Sequence, residues 1–531
     1  MTKYSLGYHH ENKDSSVCLF EDNKLIYCKE EERFTRTRHA NSFPYNAINA
    51  ALDYAKIKLE DVSNLVGKFE SSFIVPHHAN QRQLGSITSL EELQALLKKA
   101  ADDDKPEENR LQHHLCHAMQ AYATSGFKEE VCFLVVDGCG DCNDSISIGT
   151  IDIDHTKLLA SYSDEVSIGA LYSIATTHCG FDMHGEGKLM GLSSYGTDTG
   201  VRCLKFEDGK IKKLMSFDEF FKKIYPFCAK DSIRYDTMQY ANFARTVQEQ
   251  FNEIILAVLK HLSEITDCKK LVLAGGCMQN CIANNLICES GLFEEVYCSP
   301  IPYDGGTCIG ECFINSKLEE TCRIDYPVSN KEEDIDSLKP VEAIDYSINT
   351  LSSLDWAAKE LSKGQIFGWF QGGSEFGPRA LGHRSFLANP AIQENLYYLN
   401  KIKSRELWRP LAPVVPEELF DEVFDVKSHD LFQFMLRTTT IRPEYRQKLA
   451  AVCHVDGTTR PQLLKREWNP ELYDLIMTFY KLTGVPALVN TSLNTKGRPM
   501  VETLQDLFYE VLLETNVPVI VNCKYVLRKT I

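Results

Sequence analysis

The hydrophobic pattern opens with three short apolar runs. Tyr4–Tyr8, Val17–Phe20 and Leu25–Cys28 are separated by a polar loop through Asp14-Ser15-Ser16 and by the turn Glu21–Lys24. Runs of this length, bounded by turn residues, predict strand, loop, strand, turn, strand. The pattern recurs. Val131–Val136 is a fully apolar run, Asp137-Gly138-Cys139-Gly140-Asp141 is its loop, and Ser145–Thr150 and Lys157–Ser161 supply two more strands. Two hairpin units of the same design predict a duplicated α/β architecture whose two polar loops face one cleft.

Such a duplication is the arrangement of the actin-like (ASKHA) group, where two hairpins clasp nucleotide phosphates between two lobes. A further strand, Lys269–Ala274, runs into Gly275-Gly276 and a helix predicted over Met278–Leu286. Strand, double glycine and helix N-terminus together suit an anion, because bare backbone and unpaired N–H groups approach it closely. An ordinary strand-to-helix turn would have the same sequence. From about Glu319 to Asn349 the chain turns polar and loses periodicity, which predicts a connection. The expected division is a first domain over 1–320, a linker over 321–350 and a second α/β domain over 351–531.

The second domain holds the least ordinary stretch. A strand predicted over Gln365–Phe370 delivers Gly372–Ser385, a loop with Gly377-Pro378 and two arginines, Arg379 and Arg384. Glycine-rich backbone with forked donors suits a phosphorylated or carboxylated anion. Lys403, Arg405, Arg409 and Arg460 also lie near glycine, proline or a turn. Lys401 and Arg405 read as ordinary surface charges. A strand over Val485–Val489 leads into Asn490–Asn494, whose amides could serve an amide-like group.

Composition narrows the field. The 531 residues are 44% hydrophobic and 25% charged, as in soluble globular proteins. A net charge of −17 argues against nucleic-acid binding. No apolar run approaches the ~20 residues of a membrane span, and the N-terminus lacks a signal-peptide core. The expectation is a cytoplasmic protein with neither membrane nor nucleic acid as partner. Its 19 cysteines should then be mostly reduced and buried. Cys139 and Cys142 have CxxC spacing, but no second pair follows at zinc-site spacing.

The metal signal is Gln112–Ala118. On a helix, His113 and His117 stand at i and i+4 and project from one face. Two imidazoles need further ligands. Asp137, at its strand end, and Asp304, before Gly305-Gly306, are the best donors, and the set suits Fe(II), Mn(II) or Zn(II). Surface histidines on a helix are the plainer alternative. Lys188, in Glu186–Gly196, could meet an anion in the cleft.

Taken together, the motifs carry a resemblance. They run from Glu31–Arg36 with Phe43-Pro44, through His113-xxx-His117-Ala118, Asp137-Gly138-x-Gly140-Asp141 and Gly185–Gly191, to Ala274–Gly276 with Asn280. They continue with Glu375–Gly382, Trp408–Pro413, His454–Gly457 and Asn490–Asn494. In this order they resemble the O-carbamoyltransferases of the NodU/CmcH/TobZ family. The resemblance implies an actin-like, TsaD-like first domain and a YrdC-like second domain. It implies carbamoyl phosphate, ATP with Mg2+, and a divalent metal, Fe2+ first and Mn2+ or Zn2+ as alternatives. Carbamate formed in the second domain would attack ATP. The resulting carbamoyl adenylate would then carbamoylate a hydroxylated small-molecule acceptor, as in antibiotic or toxin biosynthesis.

Residue by residue, the resemblance implies metal ligation by His113, His117, Asp137 and Asp304. The expected ATP contacts are Asp137, Gly138, Gly140, Lys188, Gly275, Gly276 and Asn280. Carbamoyl phosphate falls to Arg379, Arg384, Lys403, Arg409, Arg460 and Asn490, with catalytic roles for Arg379, Arg384 and Asp14. The family's His-Asp motif stands here as Lys13-Asp14, so Asp14 is left without its histidine. A homodimer is compatible with all of this. The rivals are threonylcarbamoyl transfer to tRNA, hydrogenase-maturation carbamoyl transfer and a non-catalytic actin-like ATP module. The acidic charge, the missing zinc-finger pairs and the C-terminal arginines weigh against them in turn. Acceptor-specific structure is expected between Gly196 and Tyr240.

Overall fold

The computed structural model describes residues 2–10, 13–69, 73–74, 113–140, 143–226, 236–329, 332–338 and 346–530. The chain forms two compact units, Met1–Ile324 and Asp325–Ile531.

In the first unit the apolar runs become the strands β1 (Tyr4–His10), β2 (Ser16–Glu21) and β3 (Lys24–Glu30), joined by β4 (Val62–Phe69) and β5 (Phe73–Ile74). Their order in the sheet is β3-β2-β1-β4-β5, with β1 antiparallel to β2 and parallel to β4. The second run gives β6 (Val131–Val136), β7 (Asp144–Ile151) and β8 (Thr156–Ser163). A surface hairpin, β9 (Leu204–Glu207) and β10 (Lys210–Lys213), comes next in the chain, and β11 (Lys270–Ala274) and β12 (Glu295–Cys298) complete the second sheet. That sheet is ordered β12-β11-β6-β7-β8, with β6 antiparallel to β7 and parallel to β11. Hairpin, third strand and parallel neighbour therefore recur in the same order, and the unit is the duplicated actin-like fold.

Three helices matter most for the site: α1 (Tyr45–Ala55), α2 (His113–Ser125) and, near the end of the unit, a helix over Thr307–Asn315. Between these lie α3 (Ile168–His178), α4 (Glu186–Ser193), α5 (Ala241–Ile265) and α6 (Cys281–Ser290), so the helix over Thr307–Asn315 is α7. Helix α1 buries Ala47, Ile48, Ala51 and Leu52 on the first sheet. Helix α2 is buried on nearly every face, because α7 covers the side that the second sheet leaves open. Gly310 makes that contact close: a Cβ there would meet the Cys116 carbonyl oxygen at 2.0 Å.

The second unit is built on one eight-stranded sheet. In chain order its strands are β13 (Tyr346–Thr350), β14 (Phe367–Phe370), β15 (Arg384–Ala388), β16 (Ala412–Pro416), the short pair β17 (Thr439–Thr440) and β18 (Thr458–Thr459), β19 (Gln462–Leu464), β20 (Leu488–Ser492), β21 (Val519–Val521) and β22 (Tyr525–Lys529). The large sheet runs β13-β22-β21-β14-β15-β20-β16-β19, and β17 pairs only with β18. The stretch 321–350, read as a connection, supplies Ile335 and Leu338 to this unit's core and the edge strand β13.

Three local expectations shift. The helix predicted from Met278 starts only at Cys281, because Gly276–Gln279 forms a 3₁₀ turn first. The strand predicted to stop at Val489 continues through Asn490 to Ser492, since Asn490 and Thr491 pair with Leu387 and Phe386. Arg384 is not on the glycine-rich loop. It opens β15, opposite Phe370.

Candidate active site

Four side chains from three parts of the first unit converge. His113 and His117 occupy the first turn and a half of α2, Asp137 follows β6, and Asp304 begins the short turn ahead of α7. The two Nε2 atoms are 3.0 Å apart. Asp137 Oδ2 lies 3.4 Å from His113 and 3.2 Å from His117, and Asp304 Oδ1 lies 3.6 and 3.5 Å from the same nitrogens. All four ligand atoms fall within 4.8 Å of one another. With metal–nitrogen bonds of ~2.1 Å, two ligands at a right angle are ~3.0 Å apart and at the tetrahedral angle ~3.4 Å. The cluster therefore fits a first-row divalent ion, and two imidazoles with two carboxylates are a suitable donor set.

The electrostatics agree with that fit. Burial alone would raise the Asp137 carboxyl, but hydrogen bonds from His113 and His117 hold it well below the usual carboxylate range. At Asp304, burial and the Asp137 charge push upward, and His117 with Lys13 outweighs them. The Lys13 ammonium lies 3.2 Å from Asp304 Oδ2. Lys13, standing where the resembled family has histidine, thus contributes a cation beside the cluster. Gln120 supports the site from behind. Its Oε1 lies 3.4 Å from His117 Nδ1 and its Nε2 donates to the Ile301 carbonyl. Gly306 leaves it room, since a Cβ there would meet Gln120 Nε2 at 1.9 Å.

The neighbouring loops are tightly specified. Gly275 adopts φ 91°, and a Cβ there would meet the Val136 carbonyl oxygen at 2.2 Å, so only glycine brings β11's end against β6. At Gly138 a Cβ would meet nothing within 4 Å among the described residues. Gly140 faces Asp144 and His114. His114 points away from the cluster, with Nδ1 2.8 Å from Ser147 Oγ and 3.2 Å from Asp144 Oδ2. Lys188, on α4, lies 3.8 Å from the exposed Asp182 carboxylate. Asn280, expected at ATP, spends its side chain elsewhere. Its Oδ1 caps α6 by accepting from Ala283 N–H, and its amide exchanges hydrogen bonds with Gln248. Cys139 is exposed, and Asp141 and Cys142 lie outside the described residues.

Sequence reading missed how the Glu31–Arg36 motif serves this site. Glu31 accepts from Ala47 N–H and from the Asn46 backbone and side-chain nitrogens, capping α1. Glu30 accepts from the Tyr303 hydroxyl at 2.5 Å, bracing the residue before Asp304. It also missed His39, whose Nδ1 is 2.7 Å from Asp14 Oδ1.

In the second unit the basic residues separate into two groups. Arg384 is buried, and its guanidinium donates to the carbonyls of Gln371 at 2.8 Å, Gly372 at 3.0 Å and Glu502 at 3.1 Å, over the Phe370 ring. Glu375 Oε1 binds the backbone N–H groups of Leu381, His383 and Arg384. Arg384 thus holds the loop from within instead of facing outward from it. Lys403 is similarly engaged, with Nζ 2.5 Å from Asn494 Oδ1 and 3.0 Å from Ser492 Oγ. Asn490 donates to Ala380 O and Gln462 Oε1, while its buried Oδ1 has no partner among the described residues.

The second group is Arg405, Arg409 and Arg460. Arg405, expected as a surface charge, is half-buried. Desolvation and repulsion from Arg409 and Arg460 draw its guanidinium below its ordinary range. Its Nε donates to Asn400 Oδ1 at 2.6 Å, and its Nη2 is buried without a partner among the described residues. Arg409 Nη1 lies 4.0 Å from Glu406 Oε2. Arg460 makes no hydrogen bond or ion pair among the described residues. Three guanidiniums close enough to repel one another suit an anion. Arg379 is half-buried in the loop ahead of β15.

Duplicated sheets closing on a polar cluster, followed by a second α/β unit with clustered guanidiniums, suit a two-domain group-transfer enzyme. The chain belongs to the carbamoyltransferase family: the model described as "Carbamoyltransferase N-terminus" matches residues 5–74 and 81–313, and "Carbamoyltransferase C-terminus" matches 358–529. Nodulation protein NolNO of Sinorhizobium fredii is 32% identical over 97% of this chain and 79% of its own length. Nodulation protein NolO of Bradyrhizobium diazoefficiens is 31% identical over 75% of each chain. Among solved structures, the HypF of T. kodakarensis aligns with 60% of this chain and 48% of its own at 12% identity, with a TM-score of 0.39. The protein is accordingly a carbamoyltransferase. No helix among the described residues is long and apolar enough to cross a membrane.

Proposed function

We propose that this carbamoyltransferase is ATP-dependent and carbamoylates a hydroxyl of a small specialised metabolite, with carbamoyl phosphate as donor and carbamoyl adenylate as intermediate. The observation that carries the reading is the convergence of His113, His117, Asp137 and Asp304 beside the glycine loop at Gly138. A divalent ion held by these four, Fe2+ by preference, would neutralise phosphate charge on a bound nucleotide. Gly138, Gly140, Gly275, Gly276 and Lys188 line the ends of β6 and β11 and the start of α4, where they would receive ATP with its Mg2+. Asn280 shapes that edge as the cap of α6.

In the second unit, Arg409 and Arg460, together with Arg405 and Arg379, would grip the phosphate oxygens of carbamoyl phosphate. The free Oδ1 of Asn490 would accept from the carbamoyl amide. Arg384 and Lys403 would act by fixing the loop and the end of β20. Carbamate released from the phosphate attacks ATP and expels pyrophosphate. The acceptor hydroxyl then attacks the carbamoyl carbon and AMP departs, with Asp14 beside the acceptor.

The experiment is direct. Metal-loaded protein is incubated with carbamoyl phosphate and ATP, and pyrophosphate and carbamoyl adenylate are measured. Formation of both is expected, and the absence of both from intact, metal-loaded protein refutes the reading. Screening alcohols for the mass gain of one carbamoyl group then identifies the acceptor.

A further inference from the structure

Three non-glycine residues of the first unit adopt left-handed backbone and lie together. Asp14 has φ 58°, His39 φ 54° and His184 φ 65°. Asp14 Oδ1 is 2.7 Å from His39 Nδ1. The His39 and His184 rings pack in a tilted pair with centroids 4.3 Å apart at 34°. L side chains seldom adopt such backbone, and when they do the surrounding structure must hold them there. These residues come from three segments: the β1–β2 loop, the stretch before α1, and the turn before α4. The group adjoins the four-ligand cluster, because Lys13, the residue before Asp14, pairs with Asp304.

We propose that His39 is the general base for the acceptor hydroxyl and that Asp14 orients it. The inference rests on the carbamoyl-adenylate reading above. An ionised carboxylate only accepts hydrogen bonds, so Asp14 fixes the proton of His39 on Nδ1 and leaves Nε2 with its lone pair. Nε2 has no hydrogen-bond partner among the described residues and is not among the sealed polar atoms. The His39 side chain is 31% exposed while Asp14 is 8% exposed, so the acid lies behind the base, away from solvent. The backbone N–H of His39 donates to Glu32 Oε2 at 2.9 Å, which holds the left-handed turn. The tilted contact with the His184 ring supports the other side of the imidazole.

The acceptor oxygen forms a bond to the carbamoyl carbon while its proton passes to His39 Nε2. The bond from that carbon to the adenylate oxygen then breaks, and AMP leaves with the electron pair. Asp14 steadies the imidazolium without taking its proton, so Asp14 is a positioning residue and His39 the catalytic one. A lone aspartate would be a weak base at neutral pH. The Asp–His pair restores what the missing histidine before Asp14 had put in doubt.

The test separates this step from adenylate formation. Full-length, metal-loaded protein receives ATP and carbamoyl phosphate. The pyrophosphate burst reports the adenylate, and AMP release with water as the hydroxyl reports discharge. Hydroxylamine, neutral and strongly nucleophilic, reports discharge that needs no base. His39→Gln should keep the burst and the hydroxylamine discharge and lose about 100-fold of the discharge to water. His39→Gly suits the left-handed backbone, and added imidazole should restore its discharge to water. Unchanged water discharge in His39→Gln, an equal fall with hydroxylamine, or no imidazole rescue overturns the proposal. Wild-type protein without a burst removes the adenylate reading itself, and this proposal with it.

Discussion

Replacing His117 with alanine tests the metal cluster most directly. The imidazole is fully buried, and its Nε2 lies 3.0–3.5 Å from three other ligand atoms. Losing only an outer-shell partner of a metal ligand typically weakens affinity 10- to 100-fold, so losing a ligand should cost at least about 100-fold. At a free metal concentration of ~100 times Kd, binding stabilises the wild type by about 2.7 kcal/mol. The same concentration leaves the variant near its own Kd, with about 0.4 kcal/mol. The difference of ~2.3 kcal/mol corresponds to roughly 4 °C of metal-induced Tm gain. Comparing each protein with and without metal cancels the cavity left by the imidazole. The assay is calorimetric unfolding of both proteins, apo and with Fe2+, Mn2+ or Zn2+ in turn, with metal content measured after dialysis. A variant that keeps the wild-type metal content and Tm gain would refute ligation by His117, and with it the four-residue site.

Three further outcomes follow from the geometry. Arg384→Ala should destabilise the second unit by about 3–5 kcal/mol in urea unfolding, since several loop carbonyls lose a charged donor, and lysine should not rescue it, lacking the planar fork. An unaltered midpoint with lost carbamoyl-phosphate binding would instead make Arg384 a ligand contact. Arg460→Ala should leave stability unchanged or slightly raised and weaken carbamoyl phosphate by about 10- to 100-fold in calorimetric titration, whereas unchanged affinity would remove Arg460 from the pocket. Gly373→Ala should cost about 3 kcal/mol or more, because its Cβ would fall 1.3 Å from the Ser329 carbonyl oxygen. A wild-type urea midpoint would contradict that packing.

Much of the fold was legible because it is local. The apolar runs at Tyr4–Tyr8, Val17–Phe20 and Val131–Val136 could hardly be anything but buried strands, and their repetition announced the duplicated sheets. The spacing of His113 and His117 was equally readable, since one helix fixes the direction of both side chains. Boundaries were less so. Asn280 caps a helix that starts five residues after Gly276, and Asn490 sits within β20, because hydrogen bonds to Gln248 and to β15 decide those limits.

What the sequence determined alone was therefore the inventory: strands, two lobes, four candidate ligands and an excess of arginines in the second unit of an acidic chain. Charge and spacing are properties of the chain itself. Which arginine faces outward was decided only by packing. Arg384 and Arg405 look alike in sequence, yet carbonyls surround one, whereas the other shares its surroundings with Arg409 and Arg460. Likewise nothing local joins His39 to Asp14, 25 residues earlier. Their contact exists because the β1–β2 loop meets the segment before α1, with Ser15 N–H donating to the Ala40 carbonyl, a long-range closure that no short window of sequence can encode.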